Sequence, residues 1–170
     1  MTDVKSGTNP LFLRTEEIMQ AIELLFFAYR DFTGEPDELL AEYGFGRAHH
    51  RVIHFVGRHP GITVSELLSI LQITKQSLSR VLGQLVREGF IKQTPGAIDR
   101  RQRLLELTEN GLELDGKLFN VQRQRIIRAY KESGAEAVAG FRSVLMNMME
   151  EDDRPRFNRK HKKPSFDRPS

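Results

Sequence analysis

Thr74-Lys75-Gln76-Ser77-Leu78-Ser79-Arg80-Val81-Leu82-Gly83-Gln84-Leu85-Val86-Arg87-Glu88-Gly89 is the stretch that decides how the rest of the chain is read. Leu78, Val81, Leu82, Leu85 and Val86 recur at the i, i+3, i+4, i+7, i+8 spacing of a helix with one buried stripe. Thr74 offers a side-chain oxygen as N-cap, and Gly89 can take the left-handed conformation that stops the helix. Away from the stripe stand Lys75, Gln76, Ser77, Ser79, Arg80, Gln84 and Arg87, donors and amides with almost no carboxylate among them. Such a face suits a DNA major groove, where base edges offer acceptors to Arg and paired sites to Gln.

The flanks turn that helix into a motif. Upstream, Thr63-Val64-Ser65-Glu66 has the form of a capping box opening a short helix through Leu71. Gln72-Ile73-Thr74 is then a three-residue turn, so two helices meet at a steep angle, as in a helix-turn-helix. Downstream, Phe90 to Thr94 reads as a strand, Pro95-Gly96 as a turn, and Arg103 to Leu107 as the return strand. Between the strands, Ile98-Asp99-Arg100-Arg101-Gln102 gives the hairpin a basic tip, a wing.

Asp99-x-Arg101, followed by Leu107-Thr108-x-x-Gly111 and preceded by Leu85-x-x-Glu88-Gly89-Phe90-Ile91, resembles the winged helix-turn-helix of MarR-type transcriptional regulators. The stretch from Ala41 to His54 is similar to the PetP-like branch of that family. The resemblance implies a mostly α fold: a winged helix-turn-helix over 47–107 with a two-stranded β wing, within one domain over 11–151. Dimerisation helices are expected over 11–33 and 109–151. It also implies a homodimer whose two reading helices lie about one turn of duplex apart, roughly 34 Å, and hence a palindromic operator. The DNA-contacting set is then Thr74, Lys75, Gln76, Ser77, Ser79, Arg80, Gln84, Arg87, Asp99, Arg100, Arg101 and Arg103. In this set Arg101 reaches the minor groove or its phosphates and Asp99 orients it. The resemblance further implies a small aromatic or lipophilic effector, with Phe26, Tyr29, Tyr43, Phe45, His49 and His50 as candidate pocket residues. An aromatic core is the other reading of those rings.

Charge must be located before it means anything. The net charge of +3 hides a tail, residues 154–170, with seven of the 26 basic side chains and one of the 23 acidic ones. The rest of the chain holds 19 basic against 22 acidic residues. Within it, Gln72 to Arg103 concentrates seven basic residues against Glu88 and Asp99, a cationic footprint for phosphates. Up to Gly46 the balance is acidic, nine against three, so that end should avoid a phosphate backbone. The tail from 152 to 170 reads as disordered and adds either sequence-independent DNA affinity or solubility alone.

No cysteine is present, which removes thiol and disulfide chemistry and fits a reducing cytoplasm. No apolar run approaches the ~20 residues of a membrane helix, and the start lacks the pattern of a leader, so a cytoplasmic protein is expected. Residues 1–10 read as disordered. A helix from Leu11 to about Thr33 should end at Gly34-Glu35-Pro36, with Pro36 starting a short piece to Glu42. A second helix, about 47–58, places Val52, Ile53, Phe55 and Val56 inward and carries His49, His50 and His54. His50 and His54 stand at i, i+4 and are weak metal candidates, but no nearby carboxylate or cysteine completes a ligand set, so neither metal nor cofactor is expected. After the wing, Thr108 caps a long helix on which Leu112, Phe119 and Ile126 recur every seven residues. Gly134 breaks it, and a last helix runs to about Glu151.

An enzyme is not expected: no phosphate-cradling glycine loop and no nucleophile with a base in reach can be found. The competing reading is a winged-helix module for protein contact, or an architectural DNA binder without an effector.

Overall fold

The computed structural model describes residues 10–158. After a 3-10 turn at Leu11–Leu13, the chain runs α1 (Thr15–Ala41), α2 (Arg47–Arg58), β1 (Ile62–Thr63), α3 (Val64–Leu71), α4 (Lys75–Arg87), β2 (Ile91–Pro95), β3 (Arg103–Leu107), α5 (Glu109–Met148) and α6 (Pro155–Asn158). It divides into two compact units, one ending at Arg125 and the other beginning at Ile126.

The first helix differs from expectation. Gly34-Glu35-Pro36 does not end it; α1 continues 27 residues to Ala41 with Pro36 inside. A proline there removes one backbone donor and crowds the preceding turn, at about 3 kcal/mol. Pro36 and Leu40 are fully buried in the core, and that packing offsets the local cost. Thr33, one turn earlier, folds its hydroxyl back onto the Tyr29 and Arg30 carbonyls, at 2.9 and 3.2 Å.

The next elements follow their local signals. In α3 the Glu66 amide donates to Thr63 Oγ1 (3.1 Å) and the Thr63 amide to Glu66 Oε2 (2.8 Å), a reciprocal cap. Gln72 ends α3 in the left-handed region (φ 49°), which turns the chain into α4. Thr74 Oγ1 accepts from the Ser77 amide at 3.1 Å to start α4, and Gly89 (φ 82°) closes it. The sheet has a third strand beyond the expected two. It is antiparallel in the order β1-β3-β2, with Ile62 opposite Leu105 on one edge and Gln93 opposite Leu105 on the other. At two residues, β1 is too short to show periodicity in the sequence.

The core of the first unit gathers Leu40, Phe45, Val52, Ile53 and Val56 with Leu67, Leu78, Leu82, Leu85, Ile91 and Leu105. From α5 it takes Leu114 and Leu118. Leu112 and Phe119, of the seven-residue repeat, are instead half exposed. In the second unit Gly134 (φ 83°, ψ 167°) interrupts the helical path, and Tyr130 meets Phe141 edge-on at 6.5 Å. Arg154 donates to the Met149 and Asn147 carbonyls (3.2 and 3.3 Å). Within the tail, Pro155–Asn158 form a helical turn. Residues 1–9 and 159–170, the rest of the segments expected to be disordered, lie outside the described residues. No described helix is long and apolar enough to cross a membrane.

Candidate nucleic-acid interface

On α4 the buried Leu78, Val81, Leu82 and Leu85 fix which side faces outward. Helical spacing then groups Gln76, Ser79, Arg80, Gly83 and Arg87 opposite them. Gln76, Ser79, Arg80 and Arg87 are exposed, as is Lys75 beside them. Thr74 and Ser77 are also exposed but engage each other: Thr74 caps the helix and its hydroxyl donates to Ser77 Oγ at 2.8 Å. Gly83 sits in the middle of the outward face, where an added Cβ would lie 3.5 Å from Arg87 Nη1. An inventory of polar side chains passes over it, although a glycine inside a helical pattern is itself a signal.

Gln84 is placed differently from the others. It is half-buried, with Oε1 2.8 Å from His49 Nε2 and Nε2 donating to Glu88 Oε1 at 3.0 Å. Its amide thus has one partner on α2 and one at the end of its own helix.

The wing tip is closed by its own backbone. Gly96 N–H donates to the Gln102 carbonyl (3.0 Å) and Gln102 N–H to the Asp99 carbonyl (3.1 Å). A Cβ on Gly96 would come 2.5 Å from that Asp99 oxygen. Asp99 Oδ1 accepts from the Arg101 amide at 2.9 Å, so it shapes the turn, and no Asp99–Arg101 side-chain ion pair exists among the described residues. Arg100, Arg101 and Arg103 are left exposed on one loop and its return strand. Lys92, lower on the wing, is paired with Glu106 at 2.7 Å.

The candidate effector residues separate into three places. Tyr29 and His50 line a cleft of about 250 Å³, with Phe32 and Thr33 of α1, Arg47, Arg51, His54 and Phe55 of α2, and Gln122 of α5. Tyr43, Phe45 and His49 do not line it. Phe45 is buried, stacked on His49 at 4.8 Å and edge-on to Phe90 at 5.2 Å, while Tyr43 meets Phe90 edge-on at 5.7 Å. Phe26 is exposed on α1 against Phe27.

Inside the cleft, Arg51 Nη2 donates to the Tyr29 hydroxyl at 3.0 Å. Arg47 Nε donates to Asp37 Oδ2 at 2.8 Å, and its guanidinium lies 5.7 Å over the Tyr29 ring. Burial first, then the neighbouring His54, holds the His50 imidazole below its ordinary range; Arg51 adds to this and Asp37 opposes it. His54 is lowered by burial, then by Arg58 and His59. Among the described residues no group of three His, Cys, Asp or Glu is placed to hold a metal.

Two helices meeting across a short turn, followed by a basic hairpin on the same core, define a winged helix-turn-helix protein. Comparison with known proteins narrows the class. Residues 43–102 match the model of the MarR family. The chain is 48% identical over 149 residues to the HTH-type transcriptional regulator PetP of Rhodobacter capsulatus, covering 88% of this chain and 90% of that one. Similar solved folds include FabT of Streptococcus pneumoniae in complex with DNA (TM-score 0.70, 19% identity, covering 77% of this chain and 94% of that one). A mutant MarR of Escherichia coli complexed with operator DNA is also similar (TM-score 0.62, 23% identity, 84% and 100%). The chain belongs to the MarR family of winged helix-turn-helix transcriptional regulators.

Proposed function

We propose that this chain regulates transcription as a homodimer that reads a palindromic operator in double-stranded DNA. The observation that carries the proposal is α4 itself: a capped helix of 13 residues with no carboxylate from Lys75 to Arg87, its exposed side bearing Gln76, Ser79, Arg80 and Arg87. Arg and Gln on such a face match the acceptor pairs of guanine and the donor–acceptor pair of adenine. Arg100, Arg101 and Arg103 at the wing supply charge for the phosphates or the minor groove alongside. Two cationic elements side by side favour a polyanion such as duplex DNA over the alternative, a module for protein contact alone. The homologues are transcriptional regulators. Its place of work is the cytoplasm, with the DNA.

The cleft is the site for an effector. Arg47, Arg51, His50 and the Tyr29 hydroxyl offer donors between the Phe32 and Phe55 rings, which suits a small aromatic or lipophilic anion.

The test is selection from a pool of random duplexes by the purified full-length chain, followed by a salt series. A palindrome with half-sites about one helical turn apart should be enriched. Arg101→Ala should weaken selected and random duplexes alike and reduce the salt slope by about one. A pool that shows no preferred sequence at physiological ionic strength would overturn the proposal.

A further inference from the structure

His49 lies outside the cleft yet on the helix that walls it, and both of its ring nitrogens are engaged. The Gly46 amide donates to Nδ1 at 3.1 Å. A nitrogen that accepts cannot carry the hydrogen, so in the neutral ring Nε2 carries it and donates to Gln84 Oε1 at 2.8 Å. Gln84 Nε2 in turn donates to Glu88 Oε1 at 3.0 Å, which fixes the orientation of the amide. The result is a one-directional chain of donors from the α2 N-terminus into the second half of the reading helix. The face of the same ring lies on Phe45 (4.8 Å), and Phe45 sits edge-on to Phe90, the residue just before wing strand β2. One imidazole therefore touches α4 directly and the wing root through one ring. The neighbouring residues Arg47, His50 and Arg51 of the same α2 turn line the cleft.

We infer that His49 is a positioning residue: through Gln84 it sets α4 against α2, and the discrimination of one duplex sequence from another depends on that tie. The inference rests on the DNA-reading function proposed above. It makes His49 the link by which any displacement of α2 at the cleft reaches the base-reading face. It also gives Gln84 a role within the protein, because Oε1 and Nε2 each already hold one partner there.

The chemistry of the two ring nitrogens allows them to be tested separately. In His49→Asn the amide oxygen can replace Nδ1 as acceptor for Gly46, but nothing reaches Gln84. In His49→Gln the amide nitrogen can replace Nε2 as donor to Gln84, and the Gly46 bond is lost. The readout is the ratio of affinities for the duplex selected by the wild-type chain and for a scrambled duplex of equal length and composition, with the thermal midpoint measured alongside. His49→Asn should reduce the ratio roughly 2- to 10-fold, the range for losing one neutral hydrogen bond. Gln84→Ala should do the same, the double variant should fall no further than either, and His49→Gln should restore most of the ratio. A role confined to stability would lower the midpoint and leave the ratio unchanged, which would overturn the inference. So would a ratio lowered by Gln84→Ala but not by His49→Asn, since Gln84 would then act on DNA by itself. If His49→Asn does not fold, Gln84→Ala combined with His49→Gln supplies the decision: the inference requires that the His49→Gln change then has no further effect. A wild-type chain without sequence preference would instead defeat the underlying proposal.

Discussion

His50 and His54 stand one helical turn apart on α2, both half-buried, and both imidazoles are held below their ordinary range. The charged groups that lower them are His54 and Arg51 for His50 and Arg58 and His59 for His54, with Asp37 alone opposing at His50. A histidine whose folded pKa is depressed binds its proton more readily in the unfolded chain, so acid favours unfolding. Their contribution to stability is fully present above about pH 6.5 and is lost as the pH falls from there through the lowered folded values. Thermal midpoints measured from pH 7.5 to 5 should therefore drop in the wild-type chain, and the drop should be smaller in His50→Gln/His54→Gln. Equal slopes for the two proteins would show that both imidazoles are as accessible to protons in the folded state as in the unfolded one. The i, i+4 spacing that the sequence shows places both imidazoles half-buried along the cleft.

At the scale of elements, the join between wing and α5 leaves no room for a side chain at Gly111. Thr108 Oγ1 donates to the Gly89 carbonyl at 2.5 Å and accepts from the Gly111 amide at 3.1 Å, so one hydroxyl caps α5 and ties it to the end of α4. Gly111 is buried, and a Cβ there would collide with the Phe90 carbonyl oxygen and press on Leu107 Cβ at 3.2 Å. The obstacle is backbone, which cannot swing aside. Gly111→Ala should therefore destabilise the fold by about 1–3 kcal/mol despite the better helix propensity of alanine, read as a lower urea midpoint with an unchanged m value. A neutral or stabilising result would mean that α5 can shift away from the wing at no cost. Some of these elements are legible in the sequence and some are not. Caps, turns and amphipathic stripes are local, and Thr63, Glu66, Thr74, Gly89 and Thr108 all take the places their neighbours in sequence imply. What stayed hidden depends on distant partners: α1 passes through Pro36 because Pro36 and Leu40 enter a core built by later residues. Strand β1 exists only because β3 offers it an edge. The contact between Gln84 and His49, 35 residues earlier, is likewise visible only in the fold.

For the molecule as a whole, the decisive feature is apolar surface that one subunit does not cover. On α1, Ile18, Ile22, Leu25 and Phe26 fall on one broad face and are all exposed, Ile22 and Phe26 by more than 60%. In the second unit Phe141, Val144, Leu145 and Met148 form another such face, with Val144 58% exposed. Contiguous apolar surface on this scale is rare on a protein that works alone, and two-fold pairing would bury it on a second copy. These positions permit a clean test. In an isolated subunit Ile22→Asp and Val144→Asp place a charge in water and should cost little, whereas in a dimer they bury it without a partner. Light scattering should find the wild-type chain as a dimer, and either variant shifted towards monomer while retaining a cooperative thermal transition. Affinity for the selected palindrome should fall roughly 100-fold or more, because the second half-site is no longer held by a linked subunit, and affinity for a single half-site should change little. A wild-type chain that scatters as a monomer, or an Ile22→Asp/Val144→Asp chain that remains dimeric and binds as before, would place the interface elsewhere and remove the physical reason for a palindromic target.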